Sequence, residues 1–193
     1  MSMIDLLQNY GLWAVLIGTF FEGEAVLMLA GGLAHEQILS LSGAWLVATF
    51  GAFVGHLFYY ALGRYLMGKD LFSLVPRWKP KIEQVLPLIR KYPTLSIFIL
   101  QYLYGMRLVG AIAIGLAGMP WQTFIGIELI NCLIWAALIL MIGYSATAAV
   151  HAWLPTAEKS LTGIVVIVFL TMGVMYFLIE RLSRWKIKSE DEK

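Results

Sequence analysis

The sequence predicts an all-α polytopic membrane protein, and three observations carry that prediction. The 193 residues are 60% hydrophobic and 13% charged, with a mean hydropathy of +0.79. Soluble domains sit nearer about half apolar and about a quarter charged. Apolar runs recur along the chain, each reaching the roughly 20 residues that a helix needs to cross the hydrocarbon core. Basic residues, absent before Arg64, then concentrate between Arg64 and Lys91 and in the C-terminal tail, as loops and termini of a spanning protein require. The formal net charge of +2 points to no partner, and nucleic acid is not expected. A single cysteine, Cys132, excludes an internal disulfide and a Cys-rich metal site, and in its apolar run it reads as a small packed hydrophobe. The opening MSMIDLLQNYG lacks a basic stretch, so no cleaved signal peptide is expected.

Taken in order, the elements are expected as follows. Residues 1–40 form an apolar stretch interrupted by Glu22-Gly23-Glu24 and Gly31-Gly32, which suits a re-entrant helical hairpin better than one lipid-facing helix. Residues 41–67 form a plain span, with Gly51 and Gly55 four apart for close helix packing and Gly63-Arg64 closing it. Residues 68–92 form a basic connector. Within it Ile82, Val85, Leu86 and Ile89 recur at helical spacing, so it holds either a short helix on the inner membrane surface, limited by Pro87, or a polar loop. Residues 93–119, carrying QYLYGMRLVGAIAIGLAG, form a second interrupted stretch, broken at Gly105. Residues 120–150 and 160–181 are spans, and 182–193 is a basic tail.

Charge asymmetry arbitrates the topology. Arg181, Arg184, Lys186 and Lys188 place the tail in the cytoplasm, and the seven basic residues from Arg64 to Lys91 place the connector there too. Three full crossings between them would put the two on opposite faces, so the 93–119 stretch is expected to dip in and return. The first stretch then enters from the other side, making an inverted repeat of hairpin plus span followed by a final span. A weak echo between FEGE…GGLA and LYGM…IGLAG agrees, and broken helices meeting near the midplane mark transporters.

Several residues stand out as candidates for chemistry. Glu22 and Glu24 lie about 200° apart on an ideal helix, so a break at Gly23 is needed to turn both into one cavity. There they bind a proton or cation or meet a cationic headgroup, or else they sit solvated at the interface. Arg107 lies mid-stretch and requires an anion, either Glu22, Glu24 or a substrate phosphate, which guanidinium chelates in bidentate fashion. Arg64 holds a lipid phosphate or snorkels. His56 either titrates near physiological pH or sits neutral and hydrogen-bonded within the bundle. Tyr60, Gln101, Tyr102, Tyr104, Glu128 and Asn131 are candidate cavity-lining groups, while His35 and His151 look like surface residues. Trp78, Trp121, Trp153 and Trp185 suit an aromatic belt. No HExxH, Walker loop, GxSxG or Cys/His metal spacing occurs, so neither enzyme nor cofactor nor metal is expected.

With these residues in view, the chain resembles the DedA family of bacterial inner-membrane proteins, related to the SNARE-associated Golgi and VTT-domain lipid scramblases. FEGE, GAFVGHLFYYALGRYLMG and QYLYGMRLVG carry the resemblance, which spans roughly residues 8 to 150. It implies paired re-entrant hairpins and transport of undecaprenyl phosphate or a phospholipid, with the proton motive force involved. It assigns an acidic role to Glu22, with Glu24 adjacent, a glycine–tyrosine–glycine–basic pattern to Gly55, Tyr60, Gly63 and Arg64, and a basic role to Arg107. Two positions depart from the family pattern: His56 stands where an acidic residue is usual, and Gln101 where an arginine is usual. The leading expectation is a multi-pass flippase or scramblase in the inner membrane with a cytoplasmic C-terminus. The alternatives are a membrane-organising protein and a headgroup enzyme. Homo-oligomerisation stays open.

Overall fold

The computed structural model describes residues 3–21, 23–66, 79–102 and 106–153, together with the backbone but not the side chains at a few helix ends. Among these the regular structure is entirely helical: α1 (Met3–Phe21), α2 (Glu24–His35), α3 (Leu41–Leu66), α4 (Lys79–Lys91), α5 (Pro93–Tyr102), α6 (Arg107–Leu116) and α7 (Trp121–Trp153). The final span, the tail, Glu22, Tyr104 and Gly105 lie outside the described residues.

Three helices contain segments long and apolar enough to cross a membrane: Ile4–Phe21, Leu41–Leu66 and Trp121–Ala149. The expected spans at 41–67 and 120–150 coincide with α3 and α7. The two interrupted stretches are each divided into two helices, the first at Gly23 and the second between Tyr102 and Arg107, with Gly105 outside the described residues, and their arms differ. α5 and α6 have ten residues each, about 15 Å, or half a bilayer core. α1 has 19 residues, about 28 Å, enough to cross alone, and only α2, with 12, is short.

Local chemistry accounts for the boundaries. α1 stops because Gly23 folds back on it: a Cβ at Gly23 would lie 2.5 Å from the Thr19 Cα, so only glycine fits. Glu24 then places a carboxylate in the first turn of α2, where the helix dipole favours it. α6 ends at Gly118, whose φ of 79° is left-handed and costs glycine little. α7 starts after Pro120, whose carbonyl accepts the Phe124 N–H at 3.1 Å. α4 exists despite Pro87 in its interior. Its apolar face is covered by protein: Ile82, Val85 and Ile89 are buried in one cluster with Tyr60, Ile97 and Ile112.

The most extensive interhelical contacts pair α2 with α7 and α6 with α3, so the second arm of each broken stretch packs on the span of the other half. Glycines set both contacts. A Cβ on Gly31 would strike the Leu140 carbonyl and the backbone of Gly143 and Tyr144, and one on Gly115 would strike the Tyr60 carbonyl and the backbone of Gly63 and Arg64. Reciprocally, Gly143 receives the Met28 carbonyl and Gly63 the Ile112 carbonyl. The spacing is identical on both sides: Met28 and Gly31 answer Ile112 and Gly115, and Leu140, Gly143 and Tyr144 answer Tyr60, Gly63 and Arg64. The contacts thus match Gly31 with Gly115, one residue away from the alignment that GGLA and IGLAG suggest by eye. Gly51 and Gly55 seat α3 against the Leu16 and Phe20 carbonyls of α1. Large apolar side chains such as Trp13, Ile17, Phe50, Phe58, Ile130 and Leu138 face outward, as a lipid-facing surface requires.

These approaches forecast a position-specific response to added methyl groups. Gly63→Ala and Gly143→Ala should each destabilise the protein by about 1–3 kcal/mol, the usual cost of overpacking. Gly126 is the control, because a Cβ there would meet nothing within 4 Å among the described residues beyond its own helix. Gly126→Ala should be neutral or stabilising by about 0.5–1 kcal/mol, since it only raises helix propensity. Thermal unfolding of the three variants in one detergent checks the ranking.

Candidate functional site

α7 projects Glu128, Asn131, Cys132 and Trp135 from one face, at helical spacings of three, four and seven. His56 comes from α3, immediately after Gly55, where the missing Cβ lets α1 approach. Arg107 opens α6. A cation there opposes the positive end of the helix dipole, so it needs partners from elsewhere. His56, Arg107 and Glu128 are each 2% exposed.

The three side chains form a continuous chain. Arg107 Nε donates to His56 Nε2 at 2.7 Å. An Arg Nε–H is only ever a donor, so His56 Nε2 is the accepting nitrogen, and the ring proton sits on Nδ1. Nδ1 in turn donates to Glu128 Oε1, which also accepts from Cys132 Sγ at 3.3 Å. The guanidinium carbon of Arg107 lies 3.8 Å from the centre of the Trp135 ring, a close cation–π contact. Arg107 Nη2 donates to the Thr19 carbonyl at 3.4 Å. That carbonyl is accessible because the helix breaks beside it: Gly23 N–H, which would bond Thr19 in a continuous helix, donates to Gly18 instead, at 2.9 Å. The Thr19 hydroxyl turns back to the Val15 carbonyl at 2.8 Å.

His56, Glu128 and Cys132 offer ligand atoms within 4.8 Å of one another. They do not suit a cation, because both ring nitrogens of His56 are engaged in hydrogen bonds and the Arg107 guanidinium adjoins them. Asn131 faces α5, its Nδ2 donating to the Ile97 carbonyl at 3.2 Å. Among the described residues, Asn131 Oδ1 and the buried Gln101 Nε2 have no hydrogen-bond partner, a pattern that buried water commonly answers.

The remaining candidates are dispersed. Arg64 and Tyr60 both donate to the Met119 carbonyl in the α6–α7 turn, Arg64 at 3.1 Å, and Tyr60 stacks on Phe124. Arg64 is two turns of α3 beyond His56, about 12 Å along the axis, so the two arginines do not share one contact. Tyr102 is 46% exposed at the end of α5. Glu24 is half-buried at the head of α2. Gly23, Gly51, Gly55 and Gly63 are all buried where helices touch. His35 packs edge-on against Tyr144. Sequence reasoning missed Thr19 and Trp135 and read Cys132 as a plain hydrophobe. The spacing 128–132–135 on α7 was the available signal for the last two; nothing local marks the Thr19 carbonyl.

The fold and site define a polytopic helical membrane protein with a buried, neutralised arginine at its centre. Residues 21–145 match the model of the VTT domain, and the chain belongs to that family, the DedA membrane proteins. It is 29% identical over 184 residues to the inner membrane protein YohD of Escherichia coli (strain K12), covering 94% of this chain and 95% of that one. It is 24% identical over 196 residues to undecaprenyl phosphate transporter A of Staphylococcus aureus (strain NCTC 8325 / PS 47), covering 94% and 96%. The protein of the same name in Bacillus subtilis (strain 168) is 24% identical over 149 residues, covering 74% and 75%. No solved structure matches the chain.

Removing one member of the buried chain should cost far more than removing its charge pair together. Glu128→Leu or Arg107→Met alone should destabilise by about 3–5 kcal/mol, because each strands a buried charge. The double variant should recover most of that loss. Chemical unfolding of the singles and the double, read as a double-mutant cycle, measures the coupling.

Proposed function

We propose that this protein is an inner-membrane lipid transporter of the flippase or scramblase type that moves a phosphate-bearing lipid, undecaprenyl phosphate or a phospholipid, with protons as the coupling ion. The observation that carries this reading is Arg107. It is an always-charged group of the kind that chelates phosphate in bidentate fashion, buried at the head of a half-length helix with an imidazole and a carbonyl among its hydrogen-bond acceptors. Relatives named as undecaprenyl phosphate transporters support the substrate class. The matched contacts of Gly31 and Gly115, and of Gly143 and Gly63, support an inverted repeat of broken stretch plus span. In such repeats the broken helices meet at a central site, and one half rocks against the other. The basic connector and tail face the cytoplasm in this arrangement.

Glu22 and Glu24 flank the break of the first stretch and respond to protons from there. Arg64, fixed on the Met119 carbonyl at the end of α3, meets the headgroup as it enters or leaves. Tyr102, Tyr104, Gln101 and Asn131 line the polar path beside the second break, with Gly105 as its hinge. No covalent step is assigned to any residue.

One observation favours a second reading, a protein that organises the membrane without transport: the Arg107–His56–Glu128 chain ties α6, α3 and α7 together and would do so as a purely structural clamp.

Reconstituted protein decides between them. Fluorescently labelled undecaprenyl phosphate should cross vesicles containing the wild type faster than vesicles without it, and the corresponding free prenol should show no such gain. Arg107→Lys, which keeps the charge but loses the fork, should reduce the rate about tenfold or more. Equal rates for phosphate and prenol, or for wild type and Arg107→Lys with both folded, would leave the clamp as the role of the chain.

A further inference from the structure

We propose that His56 is the group that carries one proton into the site with each phosphate oxyanion, and that its protonation converts the Arg107–His56 contact into an anion-binding pocket. This deepens the transport reading above and rests on it for the identity of the anion.

The inference follows from the direction of the hydrogen bonds. His56 Nε2 accepts from Arg107 Nε at 2.7 Å, and Nδ1 donates to Glu128. The resting imidazole is therefore neutral, with its one free lone pair occupied by a donor that cannot reverse. A proton delivered by hydronium adds to that same lone pair: an N–H bond forms as an O–H bond of the hydronium breaks and water is released, and the imidazolium keeps its Nδ1–H bond to Glu128. Arg107 Nε–H and His56 Nε2–H then face each other as two donors with no acceptor between them. Imidazolium and guanidinium side by side repel, so the pair opens. An oxyanion oxygen entering the gap accepts from both and offsets the added charge. Proton and anion therefore bind together and favour each other reciprocally.

The surroundings leave this pair as the place where the proton acts. Among the described residues, His56 is bonded to Arg107 from α6 and to Glu128 from α7, Cys132 of α7 shares that carboxylate, and α1 packs on the Gly51–Gly55 side of α3. Tyr102 from α5 lies within electrostatic reach of Glu128 and Cys132. Of these Glu128 is the group bonded to Nδ1, and as a carboxylate it stabilises the imidazolium.

The test uses the full-length protein in lipid nanodiscs with two readouts. Nitrogen NMR of ¹⁵N-histidine protein, with the His56 signals assigned by their loss in His56→Gln, should show the Nδ1–H tautomer at high pH and a doubly protonated ring at low pH. Binding of undecaprenyl phosphate is measured from about pH 8 to about pH 5.5, across the range where histidine titrates. Wild-type affinity should gain up to about tenfold per pH unit relative to His56→Gln, the limit for one proton taken up per anion. Phosphate's own titration near pH 6 acts in both proteins and cancels in that ratio. Glu128→Gln, which keeps the shape but removes the stabilising charge, should move the wild-type profile to lower pH. Inorganic phosphate run in parallel separates the oxyanion from the lipid: competition by it shows that the phosphate group suffices, and its failure to compete shows that the lipid tail is required for entry.

Identical pH slopes in wild type and His56→Gln would overturn the proposal, as would an Nε2–H tautomer at high pH or a ring that never takes the second proton. If His56→Gln does not fold, the wild-type tautomer titration with and without undecaprenyl phosphate decides: the lipid must raise the pH at which His56 charges. If the wild type binds no phosphate lipid at any pH, the transport reading falls. The proposal then stands only if acid loosens the Arg107–His56 contact and admits inorganic phosphate, and it is overturned if acid does neither.

Discussion

A guanidinium group that cannot be discharged sits inside a bundle whose outer surface is apolar, and the arrangement of the breaks serves that one requirement. Arg107 is charged at any accessible pH, lies at the unfavourable end of its own helix dipole and is 2% exposed. No single partner offsets such a charge at so low an exposure. Among the described residues the partners include an imidazole lone pair, a backbone carbonyl, an indole face and, through the imidazole, a carboxylate. They come from α3, α1 and α7, so satisfying Arg107 fixes the relative placement of four helices. Glu22 and Glu24 first drew notice as charges in an apolar run. The described geometry adds a backbone consequence of their neighbour Gly23: the break there releases the Thr19 carbonyl to the arginine.

The glycine contacts make that convergence possible. Backbone carbonyls pressed against Cα atoms at Gly51, Gly55, Gly63, Gly115, Gly31 and Gly143 bring helix axes closer than side chains allow. At such separations, residues one position from a glycine, such as His56 beside Gly55, point into the shared interior instead of being held apart. Weak attraction spread along the backbone then places the polar groups, and the polar groups in turn lock the register. Lipid cannot compete for these contacts, because it packs against side chains and not against buried backbone.

Membrane class, spans α3 and α7, and the break at Gly23 were readable in the sequence because each rests on composition or on a local conformational need. The amphipathic connector helix was readable from Ile82, Val85 and Ile89. What covers it was not, since periodicity reports an apolar face without naming the surface that buries it. The site divides the same way. Arg107, His56, Glu128 and Gln101 stood out as polar residues in apolar runs. Their pairing did not, because it joins positions 51 and 72 residues apart through helix crossings that no local pattern encodes. Trp135 and the Thr19 carbonyl were invisible for a further reason: an aromatic ring in an apolar helix and a main-chain oxygen carry no signature until a cation is placed beside them.

The two departures from the family pattern acquire a physical meaning from this geometry. An acidic residue at position 56 would bond Arg107 directly and hold it as an ion pair. His56 instead interposes a neutral ring and transmits the carboxylate of Glu128 at one remove. The attraction on Arg107 is correspondingly weaker, because carboxylate and guanidinium are separated by the width of an imidazole and Coulomb energy falls with that distance. Gln101, buried in α5, likewise brings no charge to the interior. The pair of substitutions therefore removes one negative and one positive charge, leaves the net charge of the site unchanged, and keeps one arginine and one carboxylate joined through an imidazole.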